Sequence, residues 1–433
     1  MVLSDLPHKL AIWAAVLSIF YLVVGAIYCL YLSPLAKFPG PKLAALTSWY
    51  EFYHGYFRRG RFMWKVKEMH GRYGLCLVEW PIIRITPHEV HINDPDFFSD
   101  EIFSFNAKLD RYTEATKQFG IPDSTLFTVP HDLHRLRRGA LMPFFSRSMI
   151  IKLEDVIHSK VEKLCSRIRD HRRAEQPIDL GLGFRCLTTD VVTEYAFAES
   201  YDLLDSSDLS PGWFRALRDS GEVALLAKHI PWLLLFMNSL PLWLVKILDP
   251  EMATLLANPR SGLNCSKKSC EKLLTRGKSI EAQVVELMKE KQEDQKIEKS
   301  HPTVFHKLFN SDLPPNEKTV SRLSQEGVLV VWARSETTGN APTVPTFHLL
   351  SRPQKLARLK WELVDAIPDS EAIPSWKEFE KLPYLTPISM SPMLIHENEP
   401  IFPNHRDFEP ERWLQSHMDL DKHLIAFGKG PRI

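Results

Sequence analysis

Cysteine is scarce and unevenly placed: the six thiols are Cys29, Cys76, Cys165, Cys186, Cys265 and Cys270, and none follows Cys270. Their spacing makes neither the paired knuckles of a zinc site nor a compact disulfide framework, so a reducing compartment is the default. An excess of charge is missing too. Lys and Arg total 54 against 53 Asp and Glu, a formal net charge of +1, which leaves no global field to recruit nucleic acid. GxxxxGK(S/T), HExxH, GxSxG and GxGxxG are all absent, GLGFRC at Gly181 being only a fragment of the last. No repeat period or low-complexity tract stands out, which argues against a solenoid. At 44% hydrophobic, 25% charged and 11% aromatic, the 433 residues still have the composition of a globular chain with a sizeable core.

The first feature present is an uncharged apolar run, Leu10 to Leu32. As a helix it would extend about 34 Å, enough to span a bilayer and longer than the apolar stretch of a cleaved signal. Trp13, Tyr21, Tyr28 and Tyr31 include residues that suit the headgroup region. Lys9 on one side and Lys37 and Lys42 on the other bias the body toward the cytosol. SPLAKFPGPK follows, where Pro34, Pro39 and Pro41 stop a helix and Gly40 permits a turn, as in a stiff hinge. The expected organisation is an anchor over 1–33, a hinge over 34–49 and one body over 50–433. Helical periodicity dominates that body, notably from Ile150 to His171 and from Glu271 to Lys299. LCLVEW before Pro81 and IIRITP after it read as short strands, so the fold expected is mainly α with a small β-sheet region. PWLLLFMNSLPLWLV, from Pro231 to Val245, is too short to span, and burial and interfacial contact suit it equally.

His131 and His134 lie one helical turn apart, but Arg135, Arg137 and Arg138 beside them would repel a cation, so no metal site is expected there. On a helix, His131, His134, Arg135 and Arg138 fall on one side and could receive one or two carboxylates. Further on, GVLVVWARSETTGNAPTVPTFHLL sets Glu336, Thr337 and Thr338 inside an apolar segment, where such groups are costly unless used or hydrogen-bonded. LPYLT, FEPERW and AFGKGPRI come near the end.

In this order, behind an anchor and a proline hinge, these features resemble the cytochrome P-450 family of haem-thiolate monooxygenases over essentially the whole chain. HDLHRLRRGALMPFFS, TVFHKLFNSDLPPNEK and FHLL are most similar to its fungal membrane-anchored members of secondary metabolism, of the trichodiene oxygenase type. The resemblance implies haem as cofactor, an NADPH-dependent reductase and the lipid bilayer as partners, and a small apolar, terpenoid-like substrate. It also implies single-pass anchorage in the endoplasmic reticulum membrane with a cytosolic catalytic body. By the same resemblance Arg138, paired with His134 and supported by His131 and Arg135, would bind a haem propionate. Glu336 and Thr337 would be the catalytic acid–alcohol pair that relays protons during oxygen activation. Phe427 would pack on the macrocycle, Gly428 and Gly430 would allow its close approach, and Arg432 would reach a propionate.

The chain departs from the family pattern in three places. The axial cysteine, whose thiolate donates electron density to iron, follows the position held here by Ile433, so no metal ligand is assigned within the sequence. LPYLT leads in the family to a helix with a Glu-x-x-Arg pair, whereas Thr386 is followed directly by PISMSPMLIHENEPIFP, similar to a downstream segment. Arg412 of FEPERW would then lack both partners, a defect of about 3 to 5 kcal/mol if it stays buried. Third, Arg334 stands where the family has a glycine, and Pro342 and Pro345 fall where the central helix should continue, at about 3 kcal/mol each. These departures define an alternative: a non-catalytic, membrane-anchored remnant, or a sequence with misjudged exon boundaries, unable to ligate haem iron as written.

Overall fold

In the computed structural model, residues 6–73, 81–94, 97, 108–230, 232–239, 280–292, 301–367, 375 and 402–407 are described. The apolar run forms helix α1, Leu6–Ile27, continued by a π-helical turn, Tyr28–Leu32. The stretch Ile12–Leu32 is long and apolar enough to cross a membrane, and none of it is buried inside the protein. A helix of the protein core would bury most of that surface, so the exposure removes the core-helix explanation.

The chain divides into two units, residues 1–100 and 101–433. In the first, a 3₁₀ turn, Pro34–Lys37, follows the span, with the Ser33 hydroxyl accepting from the Leu35 amide. The proline segment packs onto a strand. The Arg84 amide donates to the Pro39 carbonyl over 2.7 Å, and Gly40 lies so close to the Arg84 carbonyl that a side chain there would collide with it. The Arg84 guanidinium donates to the Cys29 carbonyl at 2.6 Å and to the carbonyls of Thr86 and Pro87, satisfying three acceptors at once. Helix α2, Phe62–Tyr73, packs Val66 and Met69 against Ile83 and Ile85. Strands β1, Ile82–Arg84, and β2, Val90–Ile92, pair antiparallel with Ile83 opposite His91. β1 lies in the expected IIRITP strand, LCLVEW falls outside the described residues, and β2 was not anticipated because three residues carry too little alternation.

The second unit is helical. Its longer elements are α3 His131–Leu141, α4 Glu154–Arg173, α5 Leu180–Phe197, α6 Pro211–His229 and α7 Trp232–Ser239. After them come α8 Ile280–Gln292, α9 Val304–Phe309, α10 Val320–Leu350 and α11 Pro353–Ala366. The periodic stretch from Ile150 yields α4 after a short turn of helix, Arg147–Ile151. The one from Glu271 yields α8, its flanks lying outside the described residues. Of the Pro231 to Val245 stretch the described part is α7, on which Trp232 and Phe236 are exposed.

Helix α10 is the axis of the unit. Thr319 caps it by accepting from the Arg322 amide. Leu323, Val328, Val330 and Val331 then enter a core shared with Cys186, Val192, Tyr195, Ala196 and Phe197 of α5, Val284 of α8, and Phe305 and Leu308 of α9. Two glycines let α10 be approached closely. Gly327 faces Ile280 and Phe305, and Gly339 faces the backbone of Arg185. The helix runs unbroken through Pro342 and Pro345, so the expected interruption does not occur. Each proline deletes one bond of the i to i−4 ladder. Bonded turns on either side hold the course, and the Thr343 hydroxyl donates to the Gly339 carbonyl at 2.8 Å.

Candidate active site

Helix α3 opens on Pro130, and the His131 amide donates to Asp110 Oδ1 at 2.8 Å. At about 100° per residue, positions 131, 134, 137 and 141 form one stripe, and these are the residues buried on α3: His131, His134, Arg137 and Leu141. The stripe is rotated from the face drawn in the sequence. Arg138 sits at its margin, half-buried, and Arg135 faces solvent. The His131 ring contacts Asp132 through Nδ1 at 3.1 Å, while its buried Nε2 has no hydrogen-bond partner among the described residues. Burial pulls the Arg138 guanidinium below its ordinary value. With Nδ1 donating to Asp132, Nε2 is an acceptor in the neutral ring, so it is the partly desolvated Arg138 cation on this margin that suits an acidic group accepting hydrogen bonds.

Arg137, which the sequence offered only as a neighbouring charge, makes the strongest contacts on α3. Its guanidinium forks onto Glu317 at 2.6 and 3.1 Å and donates to the Asp123 carbonyl and the Thr128 hydroxyl. Glu317 also lies 3.6 Å from Arg322, which pairs with Glu326 at 2.8 Å. Glu326 in turn accepts from the Thr125 amide and hydroxyl. Two arginines and two glutamates, all buried, thus join α3 to the first turns of α10. The legible signal was Arg322 and Glu326 at i, i+4; nothing in sequence indicated that Glu317 would close the circuit.

Midway along α10, Glu336 is half-buried. Its Oε2 lies 3.7 Å from Arg185 Nη1, and Oε1 is shielded from solvent without a hydrogen-bond partner among the described residues. Arg185 is itself fixed, donating through Nε to the Gly181 carbonyl and lying over the Phe214 ring. The neighbouring Thr188 hydroxyl donates to the Ser335 carbonyl at 3.1 Å. The Thr337 hydroxyl donates back to the Ala333 carbonyl, and Thr337 and Thr338 are exposed. Arg334 is exposed and lies 4.2 Å over the Phe145 ring, a cation–π contact. The structure therefore groups His131, His134 and Arg138 on α3, and Glu336 with Thr337 on α10. Phe427, Gly428, Gly430, Arg432, Arg412 and the Thr386 junction lie outside the described residues. Among the described residues no cluster of three or more His, Cys, Asp or Glu could hold a metal.

A family model for cytochrome P-450 matches residues 88–388. The chain belongs to the cytochrome P-450 family. The relatives it matches include the cytochrome P-450 monooxygenase MO6277 of Ascocoryne sarcoides, 39% identical over 94% of this chain and 84% of that protein. The tryptophan 6-hydroxylase fscE of Fusarium equiseti is 34% identical over 96% of the chain and 84% of its own length. The cytochrome P-450 monooxygenase TRI4 of Trichoderma arundinaceum is 31% identical over 471 aligned positions, covering 99% of this chain and 86% of that protein. Haem is the cofactor of cytochromes P-450, and the half-buried, partly desolvated Arg138 guanidinium on α3 fits one of its carboxylate side chains.

Proposed function

We propose that the chain serves as a monooxygenase on a small apolar secondary metabolite, terpenoid-like, with electrons from an NADPH-dependent reductase. In this reading it is held in the endoplasmic reticulum membrane by α1, with its body in the cytosol. The observation that carries the reading is the pairing of Arg185 with Glu336 beside an unoccupied acceptor, Glu336 Oε1, on the long helix of a cytochrome P-450. Haem, when bound, supplies the one-electron and oxygen chemistry. The protein's part is to hold and to move protons. Arg138 and His134, with His131 behind them, would receive the propionates. Arg185 keeps one Glu336 oxygen in place while Oε1 stays free to take up and release a proton, and the Thr337 hydroxyl must leave the Ala333 carbonyl to join it. Membranes bearing the chain and a reductase, given NADPH and either a sesquiterpene hydrocarbon or tryptophan, test this. An oxygenated terpenoid is expected. Oxygenated tryptophan instead would align the substrate with the named activity of fscE, and a haem-loaded chain that oxidises neither would overturn the proposal.

A second reading, the catalytically silent remnant, has an observation of its own. The TRI4 match spans 471 positions, and 433 residues cannot fill them; 471 minus 433 leaves at least 38 positions without a residue in this chain. That total is large enough to include the loss of a helix and strands after Thr386. Sequencing the transcript across the Thr386–Pro387 junction and past Ile433 decides it: an in-frame Glu-x-x-Arg segment and a cysteine following Ile433 restore the enzyme, and an uninterrupted junction with a stop after Ile433 favours the remnant.

A further inference from the structure

We propose that Arg334 is a specificity-determining residue that receives a carboxylate, so that the substrate class is an otherwise apolar acid rather than a hydrocarbon. The inference deepens the monooxygenase reading and rests on it for the place of the reaction, but its evidence is separate. Arg334 stands one helical turn before Thr337 and Thr338 on α10, and all three are exposed. Spacings of three and four residues put them on one side of the helix, about 4.5 to 6 Å apart along its axis. Glu336, two residues on, lies about 200° round the helix and is engaged by Arg185 at 3.7 Å, so it does not neutralise Arg334. Among the described residues the Arg334 guanidinium has neither an ion-pair partner nor a hydrogen-bond acceptor.

What holds the cation is a ring. It lies 4.2 Å from the Phe145 ring centre. Phe145 packs edge-on against Phe144 with centres 5.0 Å apart, Phe144 stacks on Tyr195 at 4.3 Å, and the Tyr195 hydroxyl donates to the Phe144 carbonyl. The ring is therefore fixed to the buried core, and the guanidinium is oriented before any ligand arrives. The cation meets water, yet protein crowds it enough for desolvation to draw its pKa below the ordinary value. A group both wet and crowded lines a recess, whereas an arginine on a convex surface is fully solvated. A planar fork with five donors and no acceptor in reach matches a carboxylate, two N–H groups to two oxygens. Phosphate groups are met by clusters of arginines, and the nearby Arg185 is already committed to Glu336 and to the Gly181 carbonyl. A carboxylate held by Arg334 leaves the rest of the molecule within reach of the Thr337 hydroxyl, where the proposed proton transfer takes place.

Equilibrium dialysis tests this on the full chain in phosphatidylcholine nanodiscs, with empty discs as the blank for uptake by lipid. Two acids are each compared with their own methyl ester: farnesoic acid for a terpenoid skeleton and indole-3-propionic acid for an aromatic one. On at least one skeleton the acid should bind about tenfold more tightly than the ester. Arg334→Gln and Arg334→Met, both neutral and both good helix formers, should bring the two Kd values together. Arg334→Lys, which keeps the charge without the fork, should retain part of the difference. An acid preference on the indole pair alone leaves Arg334 in its role and removes the terpenoid skeleton from the reading above. Equal binding of acid and ester on both skeletons, or none, overturns the proposal, while oxidation of a neutral apolar substrate still stands or falls by its own product. A preference that survives in both neutral variants overturns it too. So does its loss on adding haemin, which would assign Arg334 to a haem carboxylate.

Discussion

Arg137 and Glu317 show how a single residue's role is set by what the fold brings to it. Both side chains are buried, and each satisfies the other through a bidentate contact. Removing the cation alone, as in Arg137→Met, leaves a carboxylate whose remaining cationic partner among the described residues is Arg322 at 3.6 Å, so a loss of about 3 kcal/mol in urea unfolding is expected. Arg137→Met with Glu317→Leu should recover most of it, because two apolar side chains leave no charge stranded. Asp190 offers a pH test. Its buried carboxylate accepts from the Leu203 and Leu204 amides at 2.7 and 3.0 Å, yet burial pushes it up to about 6 from 3.8. Between these values the folded chain holds a proton that the unfolded chain releases, so this group favours folding at pH 4 and loses that contribution as pH rises to 6. Burial drives His70 the other way, down to about 4, so its contribution grows as pH rises from 4 toward 6.5. Asp190→Asn should therefore remove a falling component from the stability profile over pH 4 to 6 and steepen the rise left by His70, as read from urea midpoints.

At the scale of the element, periodicity located the helices better than it located their faces. The 131–141 spacing gave α3, but the rotation of its buried stripe depends on Glu317, 180 residues away along the chain. A one-residue difference in which arginine turns inward cannot be read from an arginine-rich run. In the same way Arg185 gave no sequence signal, since its position opposite Glu336 exists only because α5 crosses α10. That crossing is sterically tight. A Cβ at Gly339 would stand 2.7 Å from the Arg185 Cα, so Gly339→Ala should force the helices apart. Destabilisation of about 1 to 3 kcal/mol is expected from overpacking, despite alanine's better helix propensity. Thermal unfolding measures the loss, and Thr188→Val, which deletes the hydroxyl bonded to Ser335, should add less than its own single effect if the crossing has already opened. The prolines were legible as residues but not in outcome, because a 31-residue helix packed along its first two-thirds can lose two bonds near its end.

For the molecule as a whole, the order of motifs carried the family, since order survives local rearrangement, while the site's geometry depended on contacts between distant segments. The apolar length of α1 was equally legible, and the absence of any buried residue in its span window leads to a simple expectation. Alkaline carbonate should leave the full chain in the membrane pellet, and recovery in the supernatant would rule out a span. The Arg84 contact to the Cys29 carbonyl has a further mechanical meaning. Because the last turn of the apolar helix is bonded to the hairpin, rotation of that helix about its own axis must carry the hairpin with it, as a keyed shaft turns its wheel. One alanine inserted between Ile27 and Tyr28 would advance the key by about 100° and the axis by about 1.5 Å, so the helix must either rotate or break the bond. The face this unit presents is thus encoded in the phase of the apolar helix as well as in its length.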